Sequence, residues 1–185
     1  MKFFKTKIEG LYVIEPEPFE DDRGKFYRVF CKNELEEINH TKEIVNINFS
    51  LTKKKGTIRG MHFQYPPKAE IKIIKCISGS AYDVAIDLRK NSPSFLQWHS
   101  EVLSDKNMKL LYIPEGFAHG FQTLEKDSTI CYFVTEFYYP EYEGGIVYND
   151  PKINVKWPLE VTNISDKDRE IKQLDDNFRG IELNL

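Results

Sequence analysis

Residues 80–90, SAYDVAIDLRK, alternate apolar and polar side chains with a period of two. Tyr82, Val84 and Ile86 fall on one face of this stretch, and Asp83 and Asp87 fall on the other. Such alternation predicts a β-strand with one apolar face. About ten runs rich in β-branched and aromatic residues follow one another, separated by Gly, Pro, Asn, Asp and Ser. They lie at residues 11–16, 25–30, 43–52, 57–65, 70–78, 80–90, 95–104, 108–114, 117–124 and 129–139. Their spacing predicts an all-β sandwich or barrel.

The chain of 185 residues, 41% of them hydrophobic, suffices for one domain with a sizeable core. Two short helices are predicted around the strands. One spans residues 33–38, with Asn33 as N-cap and Glu36 as its capping-box partner, and the other spans residues 165–174, with Ser165 as N-cap. Neither a repeat nor a Gly/Ser-rich linker interrupts the sequence. We therefore expect a single domain over residues 1–185.

Charge and composition exclude several classes of partner. The net charge of −3 gives no general attraction to nucleic acid or to an anionic membrane. No window approaches the roughly 18 apolar residues of a membrane span, and the first residues, MKFFKTKIEG, lack the apolar run of a signal peptide. Three cysteines at wide spacing, without a CxxC pair, favour reduced core residues. The sequence thus predicts a cytoplasmic protein.

Common cofactor motifs are absent from the sequence. The four histidines form no HxH or HxxxH pair, so metal ligands on one strand or one helix face are not indicated. A metal site shared by His62 and His119 across two strands stays open as an alternative, because strand pairing is not visible in the sequence. There is no GxxxxGK[ST], GxGxxG or GxSxG motif. We expect no metal and no cofactor.

Polar side chains embedded in apolar strands are the candidates for chemistry, since their burial is costly unless they are paired or functional. Each of them has an ordinary structural explanation when taken alone. Lys72, for example, alternates with Ile71 and Ile73 as a solvent-facing lysine would. Together they supply a base, a cation, a phenol and a carboxylate. The set is Arg59, His62, Lys72, Asp83, His119 and Tyr132.

The order of the motifs around these residues resembles the dTDP-4-dehydrorhamnose 3,5-epimerase family. The resemblance rests on FEDDRGKF from residue 19, RGMHFQYPPKAEIK, DVAIDLR, NSPSF, LYIPEGFAHGF, YFVTEFYYP, YNDP and ISDKD, which ends at residue 168. It implies a cupin-type jelly roll (double-stranded β-helix) that lacks metal-binding histidines and carries two or three short peripheral helices. It also implies a homodimer in which strands of each chain complete the site of its neighbour.

The resemblance implies catalytic roles for four residues. The family's substrate is a nucleoside-diphosphate hexose with a ketone at C4, which acidifies the hydrogens on C3 and C5. His62 matches the base and Asp168 the carboxylate that holds it, although Asp168 also suits the N3 position of a helix capped by Ser165. Lys72 matches the cation beside the carbonyl oxygen, and Tyr132 matches the acid on the opposite ring face.

Eight further residues are implied in substrate binding. Arg23 and Arg59 match contacts to the diphosphate or nucleotide, Tyr138 a wall of the sugar pocket, Asp83 and His119 supporting positions, and Phe19, Asn48 and Arg28 the nucleotide side. Three positions depart from the family pattern: Arg28 replaces Glu, Glu70 replaces Gln and Phe133 replaces Lys.

Arg28 bears on the nucleotide. A guanidinium only donates hydrogen bonds, so it suits guanine O6 and N7 better than a thymine N3–H. The sequence therefore predicts an epimerase of a dTDP-4-keto-6-deoxyhexose or of a GDP-4-keto sugar, such as a heptose. The alternatives are a 3,4-ketoisomerase of a nucleotide sugar and a non-catalytic, cupin-like sugar-binding domain.

Overall fold

The computed structural model describes residues 1–183, in which two antiparallel sheets pack face to face. The six-stranded sheet has the spatial order β1 (Lys2–Lys5), β2 (Tyr12–Glu15), β10 (Leu110–Ile113), β7 (Lys72–Ser78), β12 (Ser128–Val134) and β5 (Asn46–Thr52). The five-stranded sheet has the order β13 (Glu143–Gly145), β6 (Ile58–Gln64), β11 (Phe117–Thr123), β8 (Ser80–Asp87) and β9 (Trp98–Ser104). A separate hairpin joins β3 (Phe19–Asp21) to β4 (Gly24–Phe26). The predicted all-β class is confirmed.

The main core lies between the two sheets. Ile74 and Ile130 of the six-stranded sheet meet Ala85, Leu103 and Phe121 of the five-stranded sheet in one buried cluster. Each fully buried Ile, Leu or Phe side chain contributes about 1.5–3 kcal/mol through the hydrophobic effect. Tyr132 packs against the edge of this cluster, so the core also supports a polar side chain.

Strand β8 shows why alternation alone does not identify a solvent face. Val84 and Ile86 pack beneath the segment that follows β13, in a cluster with Ile146 and Ile153. Asp83 points the other way and is also fully buried. The expectation of a single apolar face is therefore wrong, because both faces of β8 are covered.

The short helices differ in part from their predictions. Helix α1 (Lys32–Leu35) has Cys31 as its N-cap and continues as a 3₁₀ turn over Glu36–Ile38. The Leu35 N–H donates to the Cys31 carbonyl, which starts the helix before Asn33 and overturns the predicted Asn33 cap.

Helix α2 (Asp166–Arg169) has the predicted Ser165 cap but ends at Arg169. The backbone N–H of Leu174 donates to Asp150 Oδ2 over 2.7 Å, which ties the following residues to the covering segment instead of to a helix. A further 3₁₀ turn spans Pro140–Tyr142. Within residues 1–183, no helix has the length and apolar character needed to cross a membrane.

Candidate active site

A cleft of about 520 Å³ opens where β5, β6, β7, β12, β13 and α2 come together. Two opposing sheets thus supply its walls, with β6 on one side and β7 and β12 on the other. Seven of the twelve predicted catalytic and binding residues line this cleft. They are Asn48, Arg59, His62, Lys72, Tyr132, Tyr138 and Asp168.

His62 and Asp168 form a hydrogen-bonded pair in this cleft. His62 Nε2 lies 2.7 Å from Asp168 Oδ1, and Asp168 Oδ2 accepts a second bond from the Gly60 N–H over 3.2 Å. The histidine ring stays partly exposed to the cleft, whereas the carboxylate is buried. Because the carboxylate accepts, it favours the tautomer with the proton on Nε2 and leaves Nδ1 as the basic nitrogen.

Gly60 allows this arrangement through its backbone. Its φ of +113° is unfavourable for other residues, and a Cβ there would lie 2.6 Å from Gly120 Cα and 2.7 Å from the His119 carbonyl oxygen. The close approach of β6 to β11 therefore requires glycine two residues before His62.

Asp168 serves α2 and the histidine at once. Its backbone N–H donates to Ser165 Oγ over 3.1 Å, as in a capped helix, while its side chain turns away toward His62 and Gly60. Burial alone would raise the pKa of Asp168, but the bonds from His62, Gly60 and Ser165 outweigh it and lower the pKa below its ordinary value. The two interpretations drawn from the sequence are compatible.

Lys72 lies in the cleft instead of facing solvent. Its ammonium donates to the His62 carbonyl oxygen over 3.3 Å and lies 3.0 Å from Glu70 Oε1. The structural explanation of Lys72 as an outward lysine is therefore wrong. The residue links the wall that carries Tyr132 to the strand that carries His62.

Tyr132 occupies the opposite wall from His62. Its ring packs edge-on against His119, with the centroids 6.0 Å apart, and near Phe121. Burial, reinforced by the charge of Asp83, raises the pKa of the Tyr132 phenol above its ordinary value. The phenol therefore keeps its proton at neutral pH and is available as a donor.

Asp83 and His119 lie behind Tyr132 and do not line the cleft. His119 Nε2 is 2.9 Å from Asp83 Oδ1, and both side chains are buried. His62 and His119 are register partners on β6 and β11, as a metal site would need. Each ring instead bonds an aspartate, and residues 1–183 hold no cluster of three or more His, Cys, Asp or Glu side chains suited to a metal.

Lys167 and Glu143 are among the cleft residues that the sequence reasoning missed. Lys167 Nζ donates to both carboxylate oxygens of Glu143, over 2.8 and 2.6 Å, and Tyr138 Oη donates to Glu143 Oε2 over 2.8 Å. Lys167 stands inside the ISDKD motif beside Asp168, which was a usable signal. Glu143 lies on β13, a strand that no alternation pattern in the sequence predicted.

Besides Asp83 and His119, three more of the predicted binding residues lie outside the cleft. Phe19 and Arg23 belong to the β3–β4 hairpin, where Arg23 pairs with Asp21. Arg28 Nη1 donates to Glu34 Oε1 over 2.6 Å on the surface. Within one chain, the structure does not bring these three side chains to the catalytic candidates.

Comparison with known proteins decides the family. The family described as dTDP-4-dehydrorhamnose 3,5-epimerase matches residues 5–176. The chain belongs to this family. An epimerase of that name from Methanothermobacter thermautotrophicus is 42% identical over 179 residues, which cover 95% of this chain and 96% of that protein.

Solved structures of family members share the fold. The Bacillus anthracis enzyme, with TDP and pyrophosphate bound, has a TM-score of 0.91 and 41% identity, covering 94% of this chain and 99% of that one. The Legionella pneumophila enzyme, in complex with dTDP-4-keto-L-rhamnose, has a TM-score of 0.88 and 38% identity, covering 93% and 92%. The predicted cupin-type jelly roll is confirmed.

Membership also gives the class of function. The chain is a nucleotide-sugar epimerase, an isomerase that acts on carbohydrates.

Proposed function

We propose that this epimerase inverts C3 and C5 of a dTDP-linked 4-keto-6-deoxyhexose, with His62 as base and Tyr132 as acid. The observation that carries this proposal is the position of the two side chains on opposite walls of one cleft, with Lys72 beside them. Inversion needs a proton removed from one ring face and returned to the other. A base and an acid on facing walls meet that requirement.

The base step follows from the His62–Asp168 pair. With Nε2 held by the carboxylate, Nδ1 accepts the proton from the carbon beside the ketone. Asp168 then stabilises the imidazolium that forms, because its lowered pKa keeps it ionised at neutral pH. The electrons of the broken C–H bond move into an enolate, with negative charge on the C4 oxygen.

Lys72 and Tyr132 complete the cycle. The Lys72 ammonium supplies positive charge and a hydrogen-bond donor for the enolate oxygen in a cleft where both are poorly screened. Tyr132 donates its proton to the carbanionic carbon from the other face, and the high pKa caused by burial keeps that proton in place until then. His62 then loses its proton to solvent and Tyr132 regains one from solvent, and the same steps at the second carbon give the doubly inverted product.

A dTDP-linked substrate is favoured over a GDP-linked one. The family members compared above are named for dTDP sugars, and two of them hold TDP or a dTDP sugar. The GDP hypothesis rested on Arg28, whose guanidinium here bonds Glu34 of its own chain. That surface bond gives the guanidinium a partner within its own chain.

We further propose a homodimer. On the outer face of β5, Ile47, Phe49 and Leu51 are all more than half exposed, and the β3–β4 hairpin presents Phe19 and Phe26, paired with each other and more exposed still. Exposed apolar side chains grouped in this way on one strand and one hairpin favour burial against a second copy. In such a dimer, Phe19 and Arg23 would reach the partner's cleft, which accounts for their distance from their own.

Incubation with the dTDP-4-keto-6-deoxyhexose in deuterium oxide tests the activity. Mass spectrometry should show two added daltons, one at C3 and one at C5, and NMR should show the inverted sugar. One added dalton would restrict the reaction to a single carbon, and movement of the carbonyl to C3 would identify a ketoisomerase. An unlabelled, unchanged substrate would refute the proposal.

A further inference from the structure

Glu70 carries the inference that the observations support furthest. It lines the cleft directly beside the catalytic candidates, at a position where the resemblance to the family implies a glutamine. Its Oε1 lies 3.0 Å from Lys72 Nζ, and the two side chains are only 13% and 12% exposed. An ion pair this sheltered is screened less by solvent than a surface pair.

We propose that Glu70 is a positioning residue that holds the Lys72 ammonium at the enolate site. This inference rests on the function proposed above. A lysine side chain has four rotatable carbon–carbon bonds and a mobile charge, so it must be restrained to act at one atom. Glu70 restrains the ammonium from one side, and the His62 carbonyl oxygen restrains it from the other.

The donor count shows what these two restraints leave available. An ammonium has three N–H groups. One donates to the His62 carbonyl oxygen, and the Glu70 carboxylate holds the charge close to the start of β7. Because Lys72 lines the cleft, an N–H group that these two partners do not use can donate to the carbonyl oxygen of a bound substrate. Glu70 therefore acts through Lys72 and needs no contact with the sugar.

Positioning has kinetic consequences that differ from those of substrate binding. Misplacing a group by about 1 Å can cost up to 10²-fold in rate, so we expect Glu70→Ala to lower kcat roughly 10- to 100-fold. Glu70→Gln, which introduces the amide usual in the family, should lower kcat by less. KM should change by less than about threefold, because the Lys72 ammonium that Glu70 positions interacts more strongly with the charged enolate than with the neutral ketone that binds. Glu101→Ala breaks a comparable pair, with Lys109 at 2.9 Å, outside the cleft and is the matched control.

A double-mutant cycle tests whether Glu70 acts through Lys72. In a Lys72→Ala background, Glu70→Ala should lower the rate of solvent-deuterium exchange by less than about twofold, because the group that Glu70 positions is gone. An undiminished effect in that background would overturn the inference. A wild-type kcat in both Glu70 variants would also overturn it. A rise in kcat would overturn it too, because that is the result expected if the carboxylate only weakened the electric field of the Lys72 ammonium.

The two proposals fail in different ways. If the wild type exchanges no hydrogen of the keto sugar, the proposed function fails. If the wild type exchanges and inverts normally while the Glu70 variants behave like Glu101→Ala, only the role of Glu70 fails. Glu70→Gln preserves the shape of the side chain, so a loss seen there with an unchanged melting temperature reflects the charge and not unfolding.

Discussion

At the scale of single residues, chemistry in this cleft depends on pairing. Asp168 sits between a buried backbone donor and a histidine ring, and these contacts keep it charged in spite of burial. In Tyr132, by contrast, burial raises the pKa of the phenol and keeps it neutral. The two environments therefore prepare one group to support a cation and the other to release a proton.

Exchange and inversion should separate in the variants of these residues. His62→Asn removes the base, so turnover should fall by ~10²–10⁴ and solvent-deuterium exchange should fall with it. Tyr132→Phe leaves the base in place, so exchange should continue with the proton returned to its original face, while inverted product falls. Deuterium incorporation by mass spectrometry and product configuration by NMR measure the two steps. Inversion by Tyr132→Phe at the wild-type rate would exclude Tyr132 as the acid.

At the scale of elements, β6 joins backbone geometry to catalysis. Gly60 stands against Gly120 of β11, and its N–H holds Asp168. Gly60→Ala should therefore destabilise the fold by about 1–3 kcal/mol through the positive φ, with more from the clash. It should also reduce activity further than the loss of folded protein explains.

Gly24→Ala is the control for this change. Gly24 also has a large positive φ, of +124°, but a Cβ there meets nothing within 4 Å. Thermal denaturation of both variants separates backbone strain from the clash. Equal losses of stability would show that the approach to β11 contributes nothing.

The elements also show where sequence reasoning succeeds. Most strands of both sheets follow the predicted runs, because β-branched alternation reports burial directly. Residues 27–30 and 136–139 carry the same residue types but form no strand, since no neighbouring strand pairs with them within residues 1–183. Strands β1, β3 and β13 were missed because they are only three or four residues long.

The candidate site divides in the same way. His62, Lys72 and Tyr132 interrupt apolar strands, which marks them in the sequence. Glu143 lies beside a turn, where a charged residue is ordinary, and only its ion pair with Lys167, 24 residues further along the chain, reveals it. Glu70 is marked in the sequence by its departure from the family pattern, but its ion pair with Lys72 is visible only in the structure.

At the scale of the whole molecule, a dimer would account both for the exposed apolar face of β5 and for the exposed β3–β4 hairpin. The segment after β13 covers much of the outer face of the five-stranded sheet, and α1 covers part of the outer face of the six-stranded sheet. The face of β5 and both phenylalanines of the hairpin are exposed. A second copy related by a two-fold axis would cover both and would bring each hairpin to the other chain's cleft.

Complementation between inactive subunits tests this arrangement. If Arg23 serves the partner's cleft, a heterodimer of His62→Asn and Arg23→Ala contains one site with both residues intact. Equal co-expression should then restore about a quarter of wild-type activity, because half of the dimers are mixed and each has one good site. His62→Asn with Tyr132→Phe is the matched control, since both residues line the same cleft of one chain and no mixed dimer regains a complete site. If differently tagged subunits co-purify but neither mixture recovers activity, Arg23 does not contribute to the partner's cleft.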